Sequence, residues 1–183
     1  MTHILPRYVT ERIGPPPWDN CVCCSGLMLA NKASGNAKPA TSAEVLALRT
    51  ASGASPHGPV NFPELVHAYL VRYDWHVSLA SPTTAEALYA GLLDFSGAVV
   101  VLNMGMIPAH FRRFDPAFAL QHACYVQISD GSAATDHGAL WLINPMAPKL
   151  NPAYRGEWIH VSDLAPAYVS AIVLHEDQFA GGK

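Results

Sequence analysis

The hydrophobic pattern changes its period near the middle of the chain, and this change constrains the fold most strongly. The first half has helix-type spacing and helix-starting signals, including Asn20 before Cys21 and capping-box patterns at residues 41–44 and 61–64. The second half has short apolar or alternating runs that are typical of strands. Helices followed by strands, rather than alternating with them, predict an α+β domain with N-terminal helices packed on a C-terminal antiparallel sheet.

The same patterns predict individual elements. The predicted helices span residues 21–32, 41–51, 61–73 and 81–93. The predicted strands span residues 75–79, 97–104, 122–129, 139–144, 157–161 and 169–174. Ser162 is expected to cap a short helical turn, and residues 130–138 to form a hairpin turn.

The two ends of the chain differ from the middle. Residues 1–17 end in consecutive prolines, which disfavour helix and predict an extended arm. Residues 177–183 include two adjacent glycines and predict a loose tail. This leaves residues 18–176 as one domain, a size at which a single core is expected.

Composition excludes several classes of protein. Half of the 183 residues are hydrophobic and 14% are charged, which favours a packed core over a disordered chain. The formal net charge of −3 and the lack of a basic stripe argue against nucleic acid as a partner. The apolar runs are too short to span a membrane, and the N-terminus lacks signal-peptide features. We therefore expect synthesis in a reducing cytosol, where disulfides are rare.

Three of the four cysteines lie within four residues, at positions 21, 23 and 24. They could bind a metal, form disulfides, pack as small apolar residues or include one nucleophile. A structural zinc site needs a second ligand pair, but Cys124 stands alone and no two histidines have ligand spacing. The sequence therefore predicts no metal and no cofactor.

One combination of residues fits nucleophilic catalysis. Cys21 is predicted to begin the first helix, whose dipole and free N–H groups would lower the pKa of its thiol. His122 begins one predicted strand and Asn144 ends the next, so a hairpin would bring them together. The alternative is a packed cysteine, a half-buried histidine and an ordinary Asn-Pro turn.

Several segments resemble papain-like cysteine peptidases of the bacteriocin-processing type. "DNCVCCSGLMLANKASG" is similar to their first helix, "LQHACYVQISDG" to their histidine strand and "LWLINPMAP" to their third block. The resemblance is closer to short papain-like domains of tailed phages of actinobacteria and their hosts, through "AEVLALRTASG", "ELVHAYLVRYDW", "GAVVVLNMGMIPAHFRR" and "GEWIHVSDL". It covers roughly residues 18–170.

The resemblance implies a papain-like fold and a role for each site residue. Cys21 would be the nucleophile, His122 the general base and Asn144 the group that orients the histidine, while Cys23 and Cys24 would only pack. Papain-like enzymes place a glutamine before the nucleophile to help bind the oxyanion, and this chain has "GPPPWD" there. The Cys21 backbone N–H would supply one donor, with Asn20 or Asp19 as a weak second one.

The resemblance also implies a biological setting. The protein would be a tail-associated virion component, assembled in the cytoplasm of the bacterial host together with other virion proteins. Its substrate would be a peptide or the stem peptide of peptidoglycan. Two functions stay open at this point: an active thiol peptidase or amidase, and an inactive peptidase fold that serves as a tail or capsid part.

Overall fold

The computed structural model describes residues 5–13, 19–55, 58–77, 80–92, 97–130, 137–147, 154 and 156–174. The helices are α1 Cys21–Ala33, α2 Ser42–Ser52, α3 Phe62–Tyr73, α4 Ala85–Leu92 and α5 Val161–Leu164, with short 3-10 helices at Ala109–Arg112 and Ala165–Ala167. The strands are β1 Ala98–Asn103, β2 Gln121–Gln127, β3 Ala139–Ile143, β4 Glu157–His160 and β5 Tyr168–Val173. These elements confirm the predicted α+β class.

The five strands form one antiparallel sheet in the order β4-β3-β2-β1-β5. β2 lies near the centre and pairs with β1 on one side and with β3 on the other. The hairpin formed by β2 and β3 is the one that the sequence predicts, although residues 131–136 of its turn lie outside the described residues. It brings the start of β2 close to the residue that follows β3.

Helices cover both faces of the sheet. One core packs α1 to α3 against β1 and β2 through buried side chains that include Leu27, Leu65, Tyr69, Val99 and Tyr125. The second core packs α4 and α5 on the opposite face through Leu88, Leu92, Val100, Leu102, Val126 and Leu164. Burial on both faces explains why residues 98–102 read as a continuous apolar run rather than an alternating one.

Close packing of α1 and α3 depends on Gly26. A Cβ atom at this position would lie 2.6 Å from Cδ1 of Leu65, which is inside the contact distance. The hydroxyl of Tyr69 also donates a 2.6 Å hydrogen bond to the Gly26 carbonyl oxygen. Cys23 and Cys24 are fully buried in this same core, as their packing role requires.

The helix caps follow the sequence closely at α3 and less closely elsewhere. Asn61 and Glu64 form a complete capping box. Thr41 accepts a hydrogen bond from the Glu44 backbone N–H, but the Glu44 carboxylate binds Arg72 and Tyr73 instead of closing the box.

Two further boundaries were predicted wrongly. α4 begins at Ala85, four residues later than expected. α5 begins at Val161 with His160 in the capping position, so Ser162 lies inside the helix and is not its cap.

The predicted strand at residues 75–79 is also wrong for the part that the structure describes. Residues 74–77 have no regular structure, and Ala80 forms only an isolated bridge with Val173. Trp75 instead packs against the rings of Tyr69 and Tyr73. Within the described part of this segment, Trp75 therefore belongs to an aromatic cluster at the end of α3 rather than to a sheet.

Residues 5–13 of the N-terminal arm have no regular secondary structure and pack closely on the rest of the domain. The hydroxyl of Thr10 donates to the carbonyl oxygens of Pro145 and Ala147. The backbone N–H of Glu11 donates to Pro145, and the Arg12 guanidinium donates to Met146. The division of the chain at residue 17 stays a prediction, and the tail at 177–183 lies outside the described residues.

No helix among the described residues is long and apolar enough to cross a membrane.

Candidate active site

Cys21 is the first residue of α1, where the sequence predicts it. The Cys24 backbone N–H closes the first turn by donating to the Asn20 carbonyl oxygen at 2.8 Å. Asn20 occupies the capping position, but its side chain makes no capping hydrogen bond. The thiol therefore stands at the end of the helix where the backbone N–H groups are free of helical partners.

A buried arginine braces the residues just before Cys21. Arg49 donates to the carbonyl oxygen of Asp19 at 3.0 Å, to its carboxylate at 3.1 Å and to the side-chain oxygen of Asn20 at 3.3 Å. The backbone N–H of Gly58 donates to the same carboxylate at 2.7 Å. The Asp19 carboxylate accepts in these contacts, so it offers no donor to an oxyanion and instead fixes the backbone before the thiol.

His122 and Asn144 lie together in the buried part of the site. Nε2 of His122 is 2.9 Å from Oδ1 of Asn144. The Met146 backbone N–H also donates to Oδ1, and the Asn144 amide nitrogen faces the Phe111 carbonyl oxygen at 3.4 Å. These contacts fix which end of the amide faces the imidazole. Because Oδ1 can only accept, Nε2 carries the proton and Nδ1 keeps a free lone pair.

A third group, Glu11, shares the site with the two predicted residues. The thiol sulfur of Cys21, a ring nitrogen of His122 and a carboxylate oxygen of Glu11 all lie within 4.8 Å of one another. Sequence reasoning missed Glu11, which lies ten residues before Cys21 on the far side of the prolines. No periodicity or motif marks it, because its position depends on how the arm folds back along residues 145–147.

Burial controls the charge states of this group. Desolvation lowers the pKa of His122 to about 4, against the opposite effect of its bond to Asn144. Desolvation raises the pKa of Cys21 to about 12, with a further increase from the nearby Glu11. Although part of Cys21 reaches solvent, its thiol lies beside buried groups, so we take desolvation as the dominant effect.

This result reverses the expectation that the helix terminus lowers the pKa of Cys21. The half charge of a helix dipole is too weak to offset the desolvation of a thiolate beside a buried imidazole and a buried carboxyl. The resting pair is therefore a neutral thiol and a neutral imidazole.

The same three groups have the donor types that a zinc ion accepts. Zinc would require an ionised thiol and an ionised carboxylate, and burial raises the pKa of both Cys21 and Glu11. Removal of both protons therefore costs free energy near neutral pH, and this cost would oppose metal binding. The arrangement fits proton transfer better than it fits a resident metal.

A cavity of about 460 Å³ opens beside Cys21 and His122. Val22, Val60, Phe62 and Val101 give it apolar walls. Its remaining described lining residues are uncharged or neutral: Cys21, Pro59, Asn61, Pro63, Gln121, His122, Ala123 and Ser170. The space next to the thiol therefore suits an uncharged group better than a charged one.

No family model and no curated protein sequence matches the chain. A solved structure is similar: a protein from Bacillus anthracis described as a C39-like peptidase, with a TM-score of 0.59. The two are 11% identical, and the match covers 93% of this chain and 96% of the other. At this identity the likeness shows the fold alone, which is that of a papain-like peptidase.

Proposed function

We propose that this protein is a thiol peptidase or amidase in which Cys21 is the nucleophile, His122 the base and Asn144 the orienting group. The observation that carries the proposal is the 2.9 Å contact between Nε2 of His122 and Oδ1 of Asn144. It leaves Nδ1 as the proton acceptor, and a ring nitrogen of His122 lies within 4.8 Å of the Cys21 sulfur. This is the relay that an activated thiol requires.

The proposed reaction starts from the neutral pair. Nδ1 of His122 takes the thiol proton while the sulfur of Cys21 attacks the carbonyl carbon of the substrate. The carbon–nitrogen bond then breaks, and His122 returns the proton to the leaving amine. Water hydrolyses the thioester and restores the thiol. Asn144 holds the ring orientation and stabilises the imidazolium through its side-chain oxygen.

The cavity supports a substrate class. Its apolar walls and uncharged polar groups favour a peptide with an apolar side chain next to the bond that is cut. This fits a peptide substrate, and it fits those stem peptides of peptidoglycan whose neighbouring residue is small and uncharged. The fold supports a peptide as the substrate. The cavity supports the preference for an apolar or small uncharged residue next to the bond that is cut.

The virion setting is part of the proposal and rests on the sequence resemblance alone. We propose that the protein is assembled in the cytoplasm of the bacterial host and carried in a phage tail. Mass spectrometry of purified virions tests this directly. Deletion of residues 1–17 does not, because it removes Glu11 and Thr10 and so disturbs the site as well as any docking arm.

One observation favours the alternative, an inactive peptidase fold with a structural role. His122 is buried and its pKa is lowered, so the resting site lacks the thiolate that makes many cysteine enzymes reactive. Release of amines from a peptide pool decides between the two functions. The enzyme proposal predicts release by the wild type and by Cys124→Ser, a matched change at another free cysteine, and none by Cys21→Ser.

A further inference from the structure

We infer that Glu11 is a further catalytic residue, whose protonated carboxyl group donates a hydrogen bond to the oxyanion formed when Cys21 attacks a carbonyl. The inference rests on the proposed function, because an oxyanion forms only if Cys21 is a nucleophile. It supplies a donor where the chain has prolines instead of a glutamine and where Asp19 accepts hydrogen bonds, so that Asn20 is left as a weak donor before Cys21.

The backbone on both sides of Glu11 is held firmly. Its own N–H donates to Pro145 at 2.9 Å, and its carbonyl oxygen accepts from Ile13 at 2.7 Å. Thr10 and Arg12 bind carbonyl oxygens of the same segment, at Pro145, Ala147 and Met146. That segment directly follows Asn144. The donor and the residue that orients His122 are therefore fixed to one another.

The carboxyl group of Glu11 has an unused hydrogen-bonding atom. The side chain is 2% exposed, and Oε2 is buried with no hydrogen-bond partner among the residues that the structure describes. Oε1 lies 3.9 Å from Nδ1 of His122, which is too long for a hydrogen bond. A buried polar atom without a partner is costly in a folded protein and calls for an explanation. A partner that arrives with the substrate provides one.

The surroundings of Glu11 keep it protonated. Burial raises its pKa to about 8, Arg12 acts in the opposite direction and Asp19 adds to the increase. The Arg12 guanidinium donates to the carbonyl oxygens of Met146 and Phe114. The titratable groups around Glu11 are Tyr8 and Arg12 on the arm, Asp19, Cys21 and Cys24 at α1, and His122 and Cys124 on β2.

An ion pair with His122 is the competing interpretation of the same contact. The 3.9 Å separation would allow one, but it would require an ionised Glu11 and a protonated His122. Burial shifts both pKa values toward the neutral forms. A neutral carboxyl has an O–H to donate, and carboxylic acids held neutral in apolar sites are known to stabilise oxyanions in this way.

The chemistry balances without any further reagent. As the sulfur–carbon bond forms, the thiol proton passes to Nδ1 of His122 and the carbonyl electron pair moves to oxygen. The Glu11 O–H and the Cys21 backbone N–H then donate to that oxygen. When the oxyanion collapses, the leaving group departs with its electron pair and the O–H of Glu11 stays on Glu11.

The test compares two reagents that act on the same thiol. Acylation by p-nitrophenyl acetate passes through an oxyanion, whereas alkylation by iodoacetamide does not. The rate measured with Cys21→Ala is subtracted from each reaction as background. The ratio of the acylation rate to the alkylation rate then reports the effect of the oxyanion donor separately from the reactivity of the thiol. Glu11→Ala is expected to lower the ratio about 10²-fold, because it removes one oxyanion donor. Glu11→Gln keeps a donor and is expected to retain most of the ratio.

The pH dependence separates a donor from a merely structural residue. In the wild type the ratio should fall above pH 8 as Glu11 ionises, and in Glu11→Gln it should not fall. An unchanged ratio in a folded Glu11→Ala protein would overturn the inference. The inference would also be overturned if the wild-type ratio of acylation to alkylation rose with pH and both variants lost the ratio equally. That result would indicate an ion pair between Glu11 and His122.

The same test covers a Glu11→Ala protein that does not fold and a wild type that is not acylated. If Glu11→Ala does not fold, the pH profile of Glu11→Gln against the wild type decides alone. If the wild type shows no Cys21-dependent acylation, the proposed function fails and the inference fails with it. Glu86→Gln, an exposed change on α4, is the matched control and should leave the ratio and its pH profile unchanged.

Discussion

Nε2 of His122 lies 2.9 Å from Oδ1 of Asn144, and the Met146 backbone N–H donates to that same oxygen. The amide oxygen therefore has two donors and cannot turn away from the imidazole without losing both. This arrangement leaves Nδ1 as the basic nitrogen of His122 and sets the direction in which a proton can move. The catalytic interpretation of the fold starts from this contact.

Replacement of Asn144 by aspartate tests that contact directly. A carboxylate beside Nε2 should raise the pKa of His122 and favour a thiolate–imidazolium pair. Alkylation of Cys21 by iodoacetamide at pH 6 should become faster than in the wild type. Alkylation after Asn144→Ala should become slower, because the imidazole loses its orienting acceptor. Equal rates in all three proteins would show that Asn144 does not act on the pair.

The buried Glu11 predicts how stability changes with pH. Its folded-state pKa of about 8 is higher than its ordinary value of 4.5, so the folded protein holds this proton more tightly. The stabilising contribution is complete below pH 4.5 and is lost as the pH rises toward 8. In urea unfolding, the free energy of unfolding of the wild type should fall by about 1.4 kcal/mol per pH unit between pH 5 and pH 8, relative to that of Glu11→Gln.

This difference isolates Glu11 from other titrations. Because the pKa of His122 is lowered in the folded protein, its contribution to stability is lost as the pH falls below 6.5, which is the opposite pH dependence. Both proteins contain His122, so this effect cancels in the difference between them. A difference that does not change with pH would show that Glu11 is ionised in the folded protein. Glu86→Gln, the same substitution at an exposed position on α4, is the matched control.

The contacts of Arg49 predict that the stability of the fold and the acylation rate of Cys21 depend on one another. Arg49→Met removes one donor from the Asp19 carboxylate and one from each of the carbonyl oxygens of Ser55 and Gly58. We expect a loss of more than about 2 kcal/mol in the free energy of unfolding. Cys21 acylation should slow as well, since the residues before it lose their brace. The added change Asp19→Asn should restore part of the stability, and no recovery would contradict a direct pairing.

The cavity beside Cys21 predicts a preference for apolar acyl groups. In a series of p-nitrophenyl esters from acetate to hexanoate, the acylation rate should rise with chain length. The upper limit is about fourfold per methylene, from about 0.8 kcal/mol for each buried CH₂. Ser170→Asp adds a charge to the lining and should flatten the series. A flat series in the wild type would place the acyl group outside the cavity.

Local signals account for the part of the site that the sequence predicts. Cys21 follows a helix-starting pattern, and His122 and Asn144 flank two strands joined by a turn, so their approach follows from a single hairpin. Glu11 lacks such a signal. It reaches the site because the arm binds the carbonyl oxygens after β3, a contact between residues more than 130 positions apart in the chain.

The two main errors have a common cause in tertiary packing. Within the predicted strand, Trp75 belongs to an aromatic cluster with Tyr69 and Tyr73, and only its contacts with α3 distinguish this cluster from a strand. The pKa of Cys21 moves upward because the arm and β2 enclose the thiol, and burial of this kind is invisible in a helix-start pattern. Both errors concern which surfaces meet, whereas the element types were mostly predicted correctly.

Identification of the residue that becomes acylated is the decisive test of Cys21 as the nucleophile. The protein is incubated with p-nitrophenyl acetate, quenched in acid and mapped by peptide mass spectrometry. We expect one acetyl group on Cys21, little or none on Cys23, Cys24 and Cys124, and a much lower yield in His122→Ala. Acetylation that avoids Cys21, or that is as fast in His122→Ala as in the wild type, would contradict it.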